Sequence, residues 1–204
     1  MDMKQLIIVG AVLLGLGLCG VLAIAGTYNG LVSQDETVKQ GWSEVQNQFQ
    51  RRADLIGNLV ETVKGSAAFE RETLEAVTNA RASATRPELK VEGVPSASQL
   101  RQIQAAQGEL SSALSRLLVT VEAYPQLQSV ANFTNLMTQL EGTENRVTVA
   151  RGRYNDAVRV YNVARRRFPT VLIANMMGFG DEYPMFEAAT GTDQAPKVDF
   201  GSGK

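Results

Sequence analysis

Residues 30–63 read GLVSQDETVKQGWSEVQNQFQRRADLIGNLVETV. Apolar side chains recur at Leu31, Val38, Trp42, Val45, Phe49, Ile56, Leu59 and Val63. Their steps of three and four, and of seven where two steps join, line one face of a helix. Position 52, an arginine, is the one interruption. A stripe sustained over so many turns is a heptad-like seam, which buries itself against other helices. It continues through Leu74 and Val77 and stops near Thr85–Pro87.

Two more stripes follow. Leu100, Ile103, Leu110, Leu114, Leu117, Val121 and Tyr124 form the second, closed by Pro125, which disfavours helix at the residue before it. Phe133, Met137, Leu140, Val147, Tyr154, Val158, Tyr161 and Phe168 form the third, closed by Pro169. Between the first two, Arg86 to Ser98 carries Pro87, Gly93, Pro95 and small residues, and reads as an exposed loop. No segment alternates with period 2 for long enough to be a strand. After Pro169, Val171 to Ala174 and Met176-Met177 read as a short amphipathic helix ended by Gly178-Phe179-Gly180. The expectation is an all-α protein, an elongated antiparallel bundle of three to four helices.

Upstream of the first stripe, Leu6 to Ala25 is LIIVGAVLLGLGLCGVLAIA. It lies within an uncharged stretch bounded by Lys4 and Asp35 and matches the ~20 apolar residues that cross a ~30 Å hydrocarbon core. A cleavable leader has an apolar region of only ~7–15 residues, although Ala23-Ile24-Ala25 resembles a small-x-small cleavage pattern. A lipid-modified Cys19 would want a small residue before it, where Leu18 stands. A buried core helix would need a more apolar partner set than the chain offers. A retained transmembrane helix is therefore expected. Its glycines, Gly10, Gly15, Gly17 and Gly20, suit close helix approach, and are also simply common in membrane helices. Lys4 on one side and Lys39 on the other leave the charge rule for orientation close to a tie. The expected organisation is an anchor over 1–27, a bundle over 28–188 and a disordered tail over 189–204.

Composition narrows the chemistry. The chain has 204 residues, no histidine and one cysteine. Imidazole acid/base catalysis, Ser-His and Cys-His nucleophiles and imidazole metal sites are thereby removed, as are multi-cysteine metal sites. Twenty Lys+Arg against 21 Asp+Glu give no basic field for nucleic acid. Glu70/Glu72 and Asp181/Glu182 have no recognisable partner for acid/base work. No cofactor, metal or nucleic acid is expected.

Several motifs are more specific. They are Trp42-Ser43 with Gln50-Arg51-Arg52-Ala53-Asp54-Leu55-Ile56-Gly57-Asn58-Leu59-Val60, Tyr124-Pro125, and Leu140-Glu141-Gly142-Thr143-Glu144-Asn145-Arg146. Arg153-Tyr154-Asn155-Asp156-Ala157-Val158, Tyr161-Asn162, Phe168-Pro169, Ile173-Ala174, Gly178-Phe179 and Phe186-Glu187 follow. Together they resemble the signature of the bacterial LemA family over residues 28 to 188. Gly57 departs from it, since the family usually has proline there. The resemblance implies an antiparallel helical bundle on one membrane helix in the bacterial cytoplasmic membrane, with the short N-terminus outside and the bundle in the cytoplasm. It implies no established enzymatic activity, and a magnetosome-associated branch is linked to shaping organelle membranes.

Three constellations stand out. Arg52 falls on the apolar seam beside Arg51 and near Asp54; the same count places Glu144 between Leu140 and Val147, and Arg151 between Val147 and Tyr154. A charge facing a core is costly unless paired, so Arg51 or Arg52 is expected to meet Glu141 or Glu144. Such a layer fixes helix register, or else forms a ligand site. Tyr154-Asn155 and Tyr161-Asn162, seven apart, form a polar ladder on one helix face, suited to interhelical packing or to a carbohydrate or peptide groove. Arg165-Arg166-Arg167 either complements a helix C-terminus or meets an anionic membrane or an acidic partner. The functional expectation is a non-enzymatic, single-pass membrane scaffold that self-associates as a homo-oligomer. A regulatory adaptor serving a membrane protease or other envelope protein is the alternative.

Overall fold

The apolar run and the first stripe form one unbroken helix. In a computed structural model describing residues 3–65, 70–86, 91, 93–128 and 130–187, α1 spans Met3–Lys64, about 93 Å at 1.5 Å per residue. It is long and apolar enough to cross a membrane. Every side chain described between Met3 and Gly26 is exposed, because no other described part of the protein packs there. The expected tail over 189–204 lies outside the described residues.

Beyond α1 come α2 (Arg71–Ala84), α3 (Ala97–Val121), α4 (Pro125–Gln128), α5 (Ala131–Arg166) and α6 (Thr170–Met176). No strand occurs among the described residues, so the fold is all-α. The first stripe does not run unbroken into Val77: α1 ends at Lys64, and α2 folds back so that Arg81 Nε donates to the Ala53 carbonyl at 2.6 Å. Val63 and Leu74 are eleven residues apart, close to three whole turns, so the apolar phase survives a break that reverses the chain. The exposed loop is also shorter than read. Ser96 caps α3 through Gln99 N, while the Gln99 side chain accepts from Ser96 N. This reciprocal box starts the helix at Ala97 and takes in Ser98.

Side-chain contacts set the topology. Gly41 faces Tyr154 and Arg52 faces Glu144, so α1 and α5 are antiparallel. Arg52 also reaches Gln107 and Ser111, and Gln46 reaches the Val91 carbonyl, so α3 runs parallel to α1. The far half is thus an up-down-up-down bundle of α1, α2, α3 and α5. Nearer the apolar N-terminal run, α6 and an extended strap, residues 179–187, pack on α1 and α5. The Phe168–Pro169 bond that leads into α6 is cis.

Burial divides into two apolar clusters. The distal one includes Ile56, Leu59, Val63, Val77, Leu110 and Leu117. The proximal one includes Leu31, Val38, Trp42, Val45, Tyr154 and Tyr161. Between them sit buried polar groups: Arg52, Gln107 and Thr143.

Candidate functional site

Arg52 is held at that boundary by α1. Its side chain is 3% exposed; Nη1 donates to Gln107 Oε1 at 3.1 Å and Nη2 to Ser111 Oγ at 2.7 Å. Nε lies 2.6 Å from Glu144 Oε1. Those two atoms are not aligned for a hydrogen bond, so their contact is Coulombic. Burial pushes the guanidinium pKa down and the Glu144 charge opposes that shift; an arginine stays protonated regardless. Each nitrogen of the guanidinium thus faces a group of the protein itself, which leaves it ill suited to polarise a substrate.

The remaining members of the expected layer do not converge. Arg51 and Glu141 are exposed. Asp54 is exposed too, accepting from Gln50 Nε2 at 2.9 Å with Arg81 Nη2 4.0 Å away. Arg151 lies over the Phe186 ring, 4.6 Å from its centroid, and burial lowers its pKa. The seam of α5 runs through Thr143 and Ala150, both buried, with Glu144 and Arg151 at its flank. A four-then-three count from Leu140 reaches Val147 just as a three-then-four count does, and the small residues win because α1 and α5 approach closely. At Gly41 a Cβ would stand 3.3 Å from Tyr154 Cα. Gln107 and Ser111 were missed by the sequence reading; the signal was a polar residue in the gap between Ile103 and Leu110. A solvent-open cleft of about 530 Å³ lies over the layer, lined in part by Arg52, Gln107, Glu144 and Arg151.

The tyrosine–asparagine ladder is occupied by the chain's own strap, held by contacts within the fold. Asn162 Nδ2 donates to the Tyr183 carbonyl at 2.9 Å while its Oδ1 accepts from Tyr183 N at 3.0 Å. Asn155 repeats the pattern on Phe186, at 3.0 and 2.8 Å. Seven helical residues rise about 10.5 Å and three extended residues span about 10 Å, so the two clamps stay in step. Tyr154 Oη donates to the Pro184 carbonyl at 2.9 Å, and Tyr183 Oη to Asp35 Oδ1 at 2.5 Å. Phe186 packs with Trp42 and Tyr154, ring centroids 6.2 and 5.5 Å away. Burial raises the pKa of Tyr154; burial and then the Asp35 contact raise that of Tyr183. Gln104 Nε2 and Arg151 Nη2 close the strap at the Glu187 carbonyl.

Of the three arginines at and just past the end of α5, Arg165 is half-buried, while Arg166 and Arg167 are exposed. Arg166 Nε lies 3.3 Å from Glu182 Oε1. The three stand beside α6 at the end of the bundle nearer the apolar N-terminal run.

The sequence model of the LemA family matches residues 41–200. The chain belongs to the LemA family. Among proteins similar to this LemA-family chain are magnetosome proteins MamQ 1 and MamQ 2 of Paramagnetospirillum magneticum, each 29% identical to it over 171 residues. Magnetosome protein MamQ of Magnetospirillum gryphiswaldense is 28% identical. Each match covers 74% of this LemA-family chain and 62% of the relative, so the chain spans less than two thirds of those proteins' length.

Proposed function

We propose that the chain is a single-pass protein of the bacterial cytoplasmic membrane that acts as a self-associating, non-enzymatic scaffold, with its bundle on the cytoplasmic side. The observation that carries this reading is α1: anchor and bundle share one continuous helix, so neighbouring copies would order membrane and bundle together. Similarity to magnetosome proteins is in keeping with a role at a membrane. The Arg52 layer supports a structural function over a catalytic one, since its guanidinium is spent on Gln107, Ser111 and Glu144.

Chemical crosslinking in native membranes, with mass measurement of the detergent-solubilised protein, tests it. A defined multiple of the chain mass is expected. A strict monomer with no crosslinked species overturns self-association. A monomer that co-purifies stoichiometrically with one envelope protein would support the adaptor role instead.

A further inference from the structure

Outside the anchor, most exposed large apolar side chains stand singly: Val119, Val130, Val149 and Val160 are scattered along the bundle. Phe168, Leu172, Met176 and Met177 are different, exposed at 81, 55, 81 and 49% within one short stretch. Leu172 and Met176 are four apart on one face of α6, and Phe168 lies two residues before the helix begins. Ala174 on the other face is buried in the proximal cluster with Leu31. An exposed apolar cluster of this kind marks a surface that something covers.

Its height above the anchor identifies the cover. Extending the register in which Gly41 meets Tyr154 and Arg52 meets Glu144 brings Arg167 and Phe168 to the level of Tyr28. Just past α6, Phe179 meets the Tyr28 ring edge-on at 5.5 Å. Tyr28 follows the last residue of the apolar run, Ala25, by three positions, about 4.5 Å along the helix. The patch therefore sits where α1 leaves the hydrocarbon, flanked by the exposed Arg167 and by an aromatic ring of the kind enriched at membrane interfaces.

We infer that the base of the bundle is a second lipid contact, in which Phe168, Leu172, Met176 and Met177 enter the headgroup region of the bilayer and Arg167 faces lipid phosphates. This rests on reading α1 as the membrane anchor. Interfacial helices of this type bury their apolar face ~5–10 Å into the headgroup and acyl boundary. Two contacts, one spanning and one lateral, would hold the bundle at a fixed tilt and rotation, which a lone helix cannot do.

The test uses the full chain in nanodiscs of phosphatidylcholine and phosphatidylglycerol, spin-labelled at one cysteine at a time. Native Cys19, exposed in the apolar run, reports the anchor; Met176→Cys and Val149→Cys, each with Cys19→Ser, report the patch and the bundle side. Accessibility to oxygen against a water-soluble nickel chelate is read for each. Lipid-like values at Cys19 and position 176, with water-like values at 149, are expected, and Leu172→Glu should return position 176 to water. A water-like label at 176 with Cys19 in lipid overturns the inference and leaves the anchor standing. A water-like Cys19 overturns the anchor itself. Strong spin–spin coupling between labels at 176, without oxygen contact, would make the patch an interface between copies and also overturn the lipid contact.

Discussion

Arg52 is all but sealed from water, 3% exposed at the floor of the cleft, whereas Glu144, 44% exposed, can turn outward. That difference makes the pair asymmetric. Removing the acid leaves a buried cation with neutral partners only, a change that costs about 3–5 kcal/mol at full burial and less here because of the exposed side. Glu144→Ala should therefore destabilise the bundle by about 2–3 kcal/mol. Arg52→Met frees Glu144 to hydrate and refills the volume with an apolar chain, leaving mainly the Gln107 acceptor unmet, at about 1 kcal/mol. Denaturant titration followed by circular dichroism in detergent would compare them. Equal losses would mean that packing, and not charge, governs the layer.

At the scale of elements, the strap is the segment with the most polar fastening and the least helix of its own. Asn162→Ala removes two hydrogen bonds and strands the Tyr183 amide, at about 1–3 kcal/mol. Hydrogen exchange should rise sharply across residues 183–187 while α5 stays protected. Alkali should act on the same place. The pKa of Tyr183 is raised in the folded state, so its contribution is intact below the unfolded value near 10 and fades as pH climbs beyond it. Tyr183→Phe should flatten part of that alkaline loss, read from the fluorescence of Trp42, the sole tryptophan, which stacks against Phe186. The helices themselves were legible because their stripes keep a helical period over many turns. The α1–α2 reversal was not, because its spacing conserves phase. Nor was the strap: residues 179–187 have no periodicity, and their partners lie on α1, α3 and α5, about twenty to a hundred and fifty positions away. Asn155 and Asn162 were visible as a ladder, but nothing local named what they would hold. The Arg52–Glu144 contact followed from a charge on a seam, while Thr143 and Ala150 were hidden by the ambiguity of three-and-four counting.

The molecule as a whole has two apolar cores stacked along α1 and α5 with a polar layer between them. Such an arrangement should come apart unevenly. Leu117, fully buried in the distal cluster, anchors α3 there, and Leu117→Ala should cost about 2–5 kcal/mol. Exchange in α2 and α3 should accelerate first, with residues 150–162 of α5 slower to respond, as expected where opening occurs in separate cooperative units. Uniform acceleration would show the two cores to be one. The unbroken course of α1 has a mechanical corollary. About 58 Å of it stands beyond Ala25, so the ~20° lean ordinary for membrane helices displaces Lys64 sideways by about 20 Å. With α1 read as the anchor, releasing the tilt that the lateral lipid contact holds, as Leu172→Glu would, should therefore register far from the lipid as a sweep of the tip.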